Sequence, residues 1–154
     1  MDDCFNICKI KAYAEINING ENLELEYITK LLGLNIDYIR KQGDYKTGIK
    51  KGVEISPAIK NVNFSSWTYK TEEKGTYDIS IQIGELIDVF KNKIKELRKI
   101  RRKYNKCNID VCIVIYNHQR LLPAITISAD QIAFLKNINV GISFDIYHNL
   151  IDAE

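Results

Sequence analysis

Apolar and polar positions alternate over residues 7–18, with Cys8, Ile10, Ala12, Ala14, Ile16 and Ile18 on one side and Lys9, Lys11, Tyr13, Glu15 and Asn17 on the other. A period of two is that of a half-buried strand. Asn19-Gly20 reads as a turn, after which Leu23, Tyr27, Ile28, Leu31 and Leu32 recur at helical spacing up to Gly33, a left-handed C-cap, so a helix is predicted over about 22–32. From about 35 to 64 the periodicity weakens among glycines, Pro57 and many Lys and Asn, which predicts a long irregular connection of the kind that carries function or motion. Ser65–Lys70, with Trp67 inside it, reads as a short strand ended by a charged turn at Gly75.

Between about 80 and 104, Ile83, Leu86, Ile87, Phe90, Ile94, Leu97 and Arg101 or Tyr104 trace one face, predicting one long amphipathic helix with Ser80 as a candidate cap. Ile109, Val111, Ile113 and Ile115 then alternate with Asp110, Cys112, Val114 and Tyr116 in a strand that ends near Asn117–Arg120. Pro123 and Ala124–Ile127 after it read as the return arm of a hairpin. Ser128-Ala129-Asp130-Gln131 is a capping box that opens a short helix to about Asn137, with Ile132 and Leu135 inward. Val140, Ile142, Phe144 and Ile146 alternate with Gly141, Ser143, Asp145 and Tyr147 in a last strand.

This order predicts an α+β fold: a single, mostly antiparallel sheet of about five strands, with a mixed sheet as the alternative, and two or three helices packed on one face. The 154 residues fit one domain, 1–154, and the 45% hydrophobic and 27% charged fractions are ordinary for a globular chain. No apolar run approaches the ~20 residues of a membrane-spanning helix, and the acidic start at Met1-Asp2-Asp3-Cys4 lacks a signal or transit pattern, so a cytoplasmic location is expected. Cys4 and Cys8, like Cys107 and Cys112, are spaced too widely for tight zinc knuckles and have no His beside them, so reduced packing cysteines are expected and no metal. The chain lacks a Gly-rich phosphate loop, a nucleophile elbow, an HExxH pair and a calcium loop, so no cofactor is expected and an enzyme is the lesser reading.

Ile28-Thr29-Lys30-Leu31-Leu32-Gly33-Leu34 running into Arg40-Lys41-Gln42-Gly43-Asp44 resembles the opening motif of the bacterial family called domain of unknown function 4279. The tryptophan strand at Trp67, a long helix ending in Glu96-Leu97-Arg98, Ile109-Asp110-Val111, the helix start at Ile127-Ser128 and the closing Phe144-Asp145-Ile146-Tyr147 resemble it in order and spacing, over roughly residues 8–148. The connection around Gly48–Pro57 is longer than that pattern has. The resemblance implies no established activity and supplies no catalytic residues; a role in toxin immunity is an analogy between small domains.

Three surfaces are candidates for function. If the Ile, Val and Phe positions face the helices, the opposite sheet face shows Tyr13, Tyr116 and Tyr147 among Lys9, Lys11, Glu15, Asp110, Cys112, Ser143 and Asp145, a rigid amphipathic surface for another protein or a second copy, against the plain alternative of a solvated face. Asp110 and Asp145, were their strands paired, could do acid–base work in a cleft with Trp67, and Trp67 with Tyr69 and the loop residues Arg40, Lys41, Asp44 and Tyr45 could line a small pocket under the long connection; set against that, a lone strand tryptophan is more often a core anchor. Residues 91–106 hold nine basic residues and one acidic one, +8, leaving −6 for the rest. Arg98, Arg101 and Arg102 in that stretch could follow a phosphate backbone or meet an acidic protein, although cations at a helix C-terminus also simply suit the macrodipole.

Overall fold

The alternating segment at 10–20 becomes the strand on which everything else is assembled. A computed structural model describes residues 10–34, 38–40, 49–50, 53–54, 65–118 and 122–148. Its elements are β1 (Ile10–Gly20), α1 (Leu25–Leu32), β2 (Tyr38–Arg40), β3 (Ile49–Lys50), β4 (Val53–Glu54), β5 (Ser65–Lys70), β6 (Lys74–Gly75), α2 (Ser80–Phe90), α3 (Ile94–Lys103), β7 (Asn108–Asn117), α4 (Ala129–Asn137) and β8 (Ile142–His148). The main sheet runs β2-β5-β1-β7-β8, with β6 continuing beside β1, and β3 and β4 form a separate two-stranded pair. Among the described residues all strand pairings are antiparallel except β7 with β8, so the α+β expectation stands in its mixed form, with four helices described.

The parallel pair replaces the expected hairpin. Ala124–Ile127 forms no return strand: Ala124 makes one parallel bridge to Asp78, and Ile79 N–H donates to Ala124 O at 3.1 Å. A parallel neighbour needs a crossover of a dozen or more residues, and the stretch between β7 and β8, with its helix, supplies one. Ser128 Oγ accepts from the Gln131 N–H while Ser128 N–H donates to Gln131 Oε1, so the expected capping box starts α4.

The expected long helix is two. Lys91-Asn92-Lys93 separates α2 from α3, and the break re-phases the inward face: Gln82, Ile83, Leu86 and Phe90 are buried in α2, then Leu97 and Ile100 in α3. A continuous helix would have carried Arg101 round to the core side, a burial its charge opposes. Ser80 is the first residue of α2 rather than its cap: Ile79 holds the N-cap position, and the Asp78 carboxylate just before it accepts from the Ser80 N–H at 2.9 Å. Gly33 takes the left-handed conformation (φ 61°) expected of the α1 C-cap.

The helices cover one face. Ile10, Ala12, Ala14, Ile16 and Ile18 of β1 meet Ile109, Val111, Ile113 and Ile115 of β7 beneath α1 to α3, all buried. Trp67 of β5 stands opposite Ile18, fully buried, and its Nε1–H donates to Thr29 Oγ1 of α1 at 3.0 Å. The other face is the polar half of the alternation, and no described helix lies on it.

Candidate interaction face

Pairing register decides which outward side chains become neighbours. Val114 of β7 faces Tyr13 of β1 on one side and Asp145 of β8 on the other, and Tyr116 faces Lys11 and Tyr147 in the same way. Three tyrosines from three adjacent strands therefore gather at one end of the face. The Tyr116 and Tyr147 rings stack with centroids 5.2 Å apart and planes 21° from parallel, and Tyr13 lies 6.4 Å from Tyr116 at a tilt of 42°. Both separations fall in the range where offset aromatic pairs attract. Lys70 Nζ sits 5.3 Å from the Tyr13 ring centre, a cation over a π face.

The stack leaves Tyr13 half-buried, and its ionisation is pushed well above its ordinary value of 10.0, first by burial, then by Tyr116 and by the Glu15 carboxylate. Tyr13 is thereby held neutral as a hydrogen-bonding group and is unsuited to serve as a base near neutral pH. The linkage has a definite sign: the folded chain holds the Tyr13 proton where the unfolded chain releases it, so Tyr13 lowers stability as pH climbs from about 10 toward the raised value. Spectrophotometric titration of the nine tyrosines should show a late-ionising phenol that Tyr13→Phe removes, together with a shallower alkaline loss of stability in that variant. A titration unchanged by Tyr13→Phe would contradict the assignment.

Toward the other end of the face, Asp110 is saturated by amides. Its carboxylate accepts from Nδ2 of Asn108 at 3.1 Å and from Nδ2 of Asn17 and Asn19, both at 3.3 Å. Asn17 also donates to Glu15 at 3.1 Å and accepts from the Thr68 hydroxyl at 2.7 Å. Asn17 belongs to the polar side that the alternation of β1 predicts, whereas Asn19, Thr68 and Lys70 join the face only through the pairing of β1 with β5, and period-two alternation carried along both strands is the signal that finds them. A carboxylate held by three amides is fixed in place, an arrangement for structure more than for proton transfer.

The acid cleft does not assemble. β7 and β8 do pair, yet Asp145 stands opposite Val114 and Asp110 lies four residues back, about 13 Å along the strand at ~3.3 Å per residue. Trp67 is on the opposite face, in the core. Open depressions of about 650 Å³ beside Asn22–Tyr27 and about 430 Å³ beside Asn19, Gly20, Lys106 and Asn108 include none of Asp110, Asp145 and Trp67. Lys41, Asp44 and Tyr45, like Lys9, Cys4 and Cys8, lie outside the described residues, and for Arg40 only the backbone is described. Cys107 and Cys112 are free thiols whose ionisation burial pushes up, Cys112 on the tyrosine face beside Ser143 and Asp145. Among the described residues no group of three or more His, Cys, Asp and Glu is placed to hold a metal ion.

The basic stretch is partly committed to internal contacts. Arg98 donates to the Asn137 carbonyl at 3.0 Å and to its side chain, and Arg101 donates to the Asn139 carbonyl at 2.9 Å, so both close the C-terminal end of α4. Lys103 Nζ pairs with Glu24 at 2.9 Å and lies 3.9 Å from the Tyr27 ring centre. Arg102 is exposed, with Nε turned back to the Arg98 carbonyl at 3.4 Å. Arg98, Arg101 and Lys103 of the nine basic residues in the stretch are thus held by partners within the fold.

No helix among the described residues is long and apolar enough to cross a membrane. No curated protein and no solved structure matches the chain. A family model described as Domain of unknown function (DUF4279) matches residues 9–149, and the chain belongs to that family.

Proposed function

We propose that this DUF4279 chain is a non-enzymatic cytoplasmic domain that binds another protein through its open sheet face, at the rows of Tyr13, Tyr116 and Tyr147. The observation that carries the reading is the contact of three tyrosine rings on three paired strands. Rings fixed by a sheet lose little entropy on binding, and tyrosine is enriched where one end of a contact is apolar and the other wet. The partner that fits presents arginine or lysine. Asp145 shares the cross-strand row of Tyr13 and Glu15 lies in the next one, and Lys70 over Tyr13 is an internal instance of the same cation–ring contact. In an immunity role that partner would be a toxin.

The basic stretch supports a polyanion partner less, because Arg98, Arg101 and Lys103 already have internal partners. The test is capture of partners on immobilised full-length chain, identification by mass spectrometry, and calorimetry of the purified pair. Tyr116→Ala should weaken the complex by at least roughly 30-fold, as loss of an interfacial aromatic anchor does. Unchanged affinity in Tyr116→Ala, Tyr147→Ala and Asp145→Ala would remove the face from the interface.

A further inference from the structure

Among the described residues β8 ends the sheet, with a long edge on its outer side. Val111 N–H donates to the Gly141 carbonyl at 3.1 Å, and Val111 stands opposite Ile142 in the parallel ladder. That phase turns the backbone groups of Gly141, Ser143, Asp145 and Tyr147 toward β7 and those of Ile142, Phe144 and Ile146 outward. Among the described residues no strand pairs with this outward row. Natural sheets blunt such edges with very short strands, lysines, prolines or a covering element. The opposite edge follows the rule, since β2 is only three residues long. β8 has seven residues without Lys or Pro, and Ile146 and Tyr147 are 46% and 47% exposed.

We propose that this edge pairs antiparallel with β8 of a second copy of the chain, about a two-fold axis at Phe144. The sequence around Phe144 is self-complementary. The axis sets Ile142 against Ile146, Ser143 against Asp145 and Gly141 against Tyr147 of the second copy, each combination occurring twice, as a two-fold interface requires. The backbone phase agrees with this register. Outward-facing Ile142, Phe144 and Ile146 become the hydrogen-bonded pairs, while Ser143 with Asp145 and Gly141 with Tyr147 fall in the narrower rows, where side chains come closest.

In those rows the Ser143 hydroxyl meets a carboxylate, and the Tyr147 ring covers the bare backbone of Gly141, where a Cβ position has nothing within 4 Å. An axis at Asp145 would oppose two carboxylates in a narrow row, and an axis at Ile146 would shorten the ladder. A shift by half a step would set polar side chains against apolar ones. The chosen register joins the two sheets and continues the tyrosine face across both copies. It does not depend on the proposed protein partner, because Tyr116 lies on β7, off the edge.

Sedimentation equilibrium of the full chain over a range of concentrations tests the pairing. The wild-type chain should pass from monomer to dimer. Ser143→Asp opposes two pairs of carboxylates across the axis and should raise the dimer dissociation constant about fivefold, while Ser143→Lys should lower it about as much. Ile146→Lys, an exposed edge position, should give a monomer with an unchanged circular dichroism spectrum. A chain that stays monomeric throughout overturns the proposal, and so does a dimer indifferent to both Ser143 changes or one dissolved by Tyr116→Ala alone.

Discussion

Replacing Trp67 by alanine is expected to cost about 3–5 kcal/mol of folding stability, the range for deleting a buried aromatic, and to lower the melting midpoint by on the order of 10 °C. Trp67 is fully buried in β5, opposite Ile18 of β1 and Ile39 of β2, so its loss opens a void between the sheet and α1. The indole also ties the layers together, since Nε1–H donates to Thr29 Oγ1 at 3.0 Å and the Thr29 hydroxyl donates to the Leu25 carbonyl at 2.9 Å. Trp67→Phe keeps most of the volume and removes the donor, so it should cost less, with about 1 kcal/mol of its effect from the lost hydrogen bond. Urea unfolding of the variants, with equal slopes, measures both differences. A tryptophan lining a ligand pocket would behave otherwise: Trp67→Ala would leave stability within about 0.5 kcal/mol, as substitutions on solvated surface do.

The same residue marks the boundary of what the sequence could say. Trp67 in a β-rich hexapeptide was legible as a strand residue, and the core reading was open beside the pocket reading, but the face it occupies follows from its register against Ile18, which no local pattern carries. Alternation placed Tyr13, Tyr116, Asp145 and Tyr147 on one face correctly because period two is a local property. Whether Asp145 would meet Asp110 or Val114 depended on the direction and offset of β8 against β7, and these follow from a crossover that the sequence presented as a hairpin. The family was legible for a different reason: a resemblance carried by short motifs along the chain needs no knowledge of strand pairing, and the family model matches residues 9–149. Helical periodicity likewise found α2 and α3 but missed their junction, because Lys91-Asn92-Lys93 changes the phase of the inward stripe without breaking the run of helix-compatible residues.

Gln82 is the position where phase matters most for stability, and changing it to methionine is expected to stabilise the fold by about 1–3 kcal/mol. Periodicity predicts an inner stripe of Ile83, Leu86, Ile87 and Phe90, with Gln82 at its margin. In the fold α2 is turned so that the ridge Gln82, Leu86 and Phe90 points inward and Ile87 is only partly buried. The helix lies against β1, where Ala12 and Ala14 are fully buried and small enough to let it come close. Gln82 is left 1% exposed with neither its amide nitrogen nor its carbonyl oxygen hydrogen-bonded. A buried amide without partners carries its full desolvation cost, whereas methionine has similar length and volume, flexes to fill an irregular gap and brings no polar atom. Chemical denaturation should therefore give a higher midpoint for Gln82→Met, while Gln82→Glu, which adds an unpaired charge at the same site, should fall below the wild type at neutral pH. If Gln82→Met instead destabilised the chain, the amide would have to be satisfied in the folded protein, and the packing of α2 on β1 described above would be wrong at that point.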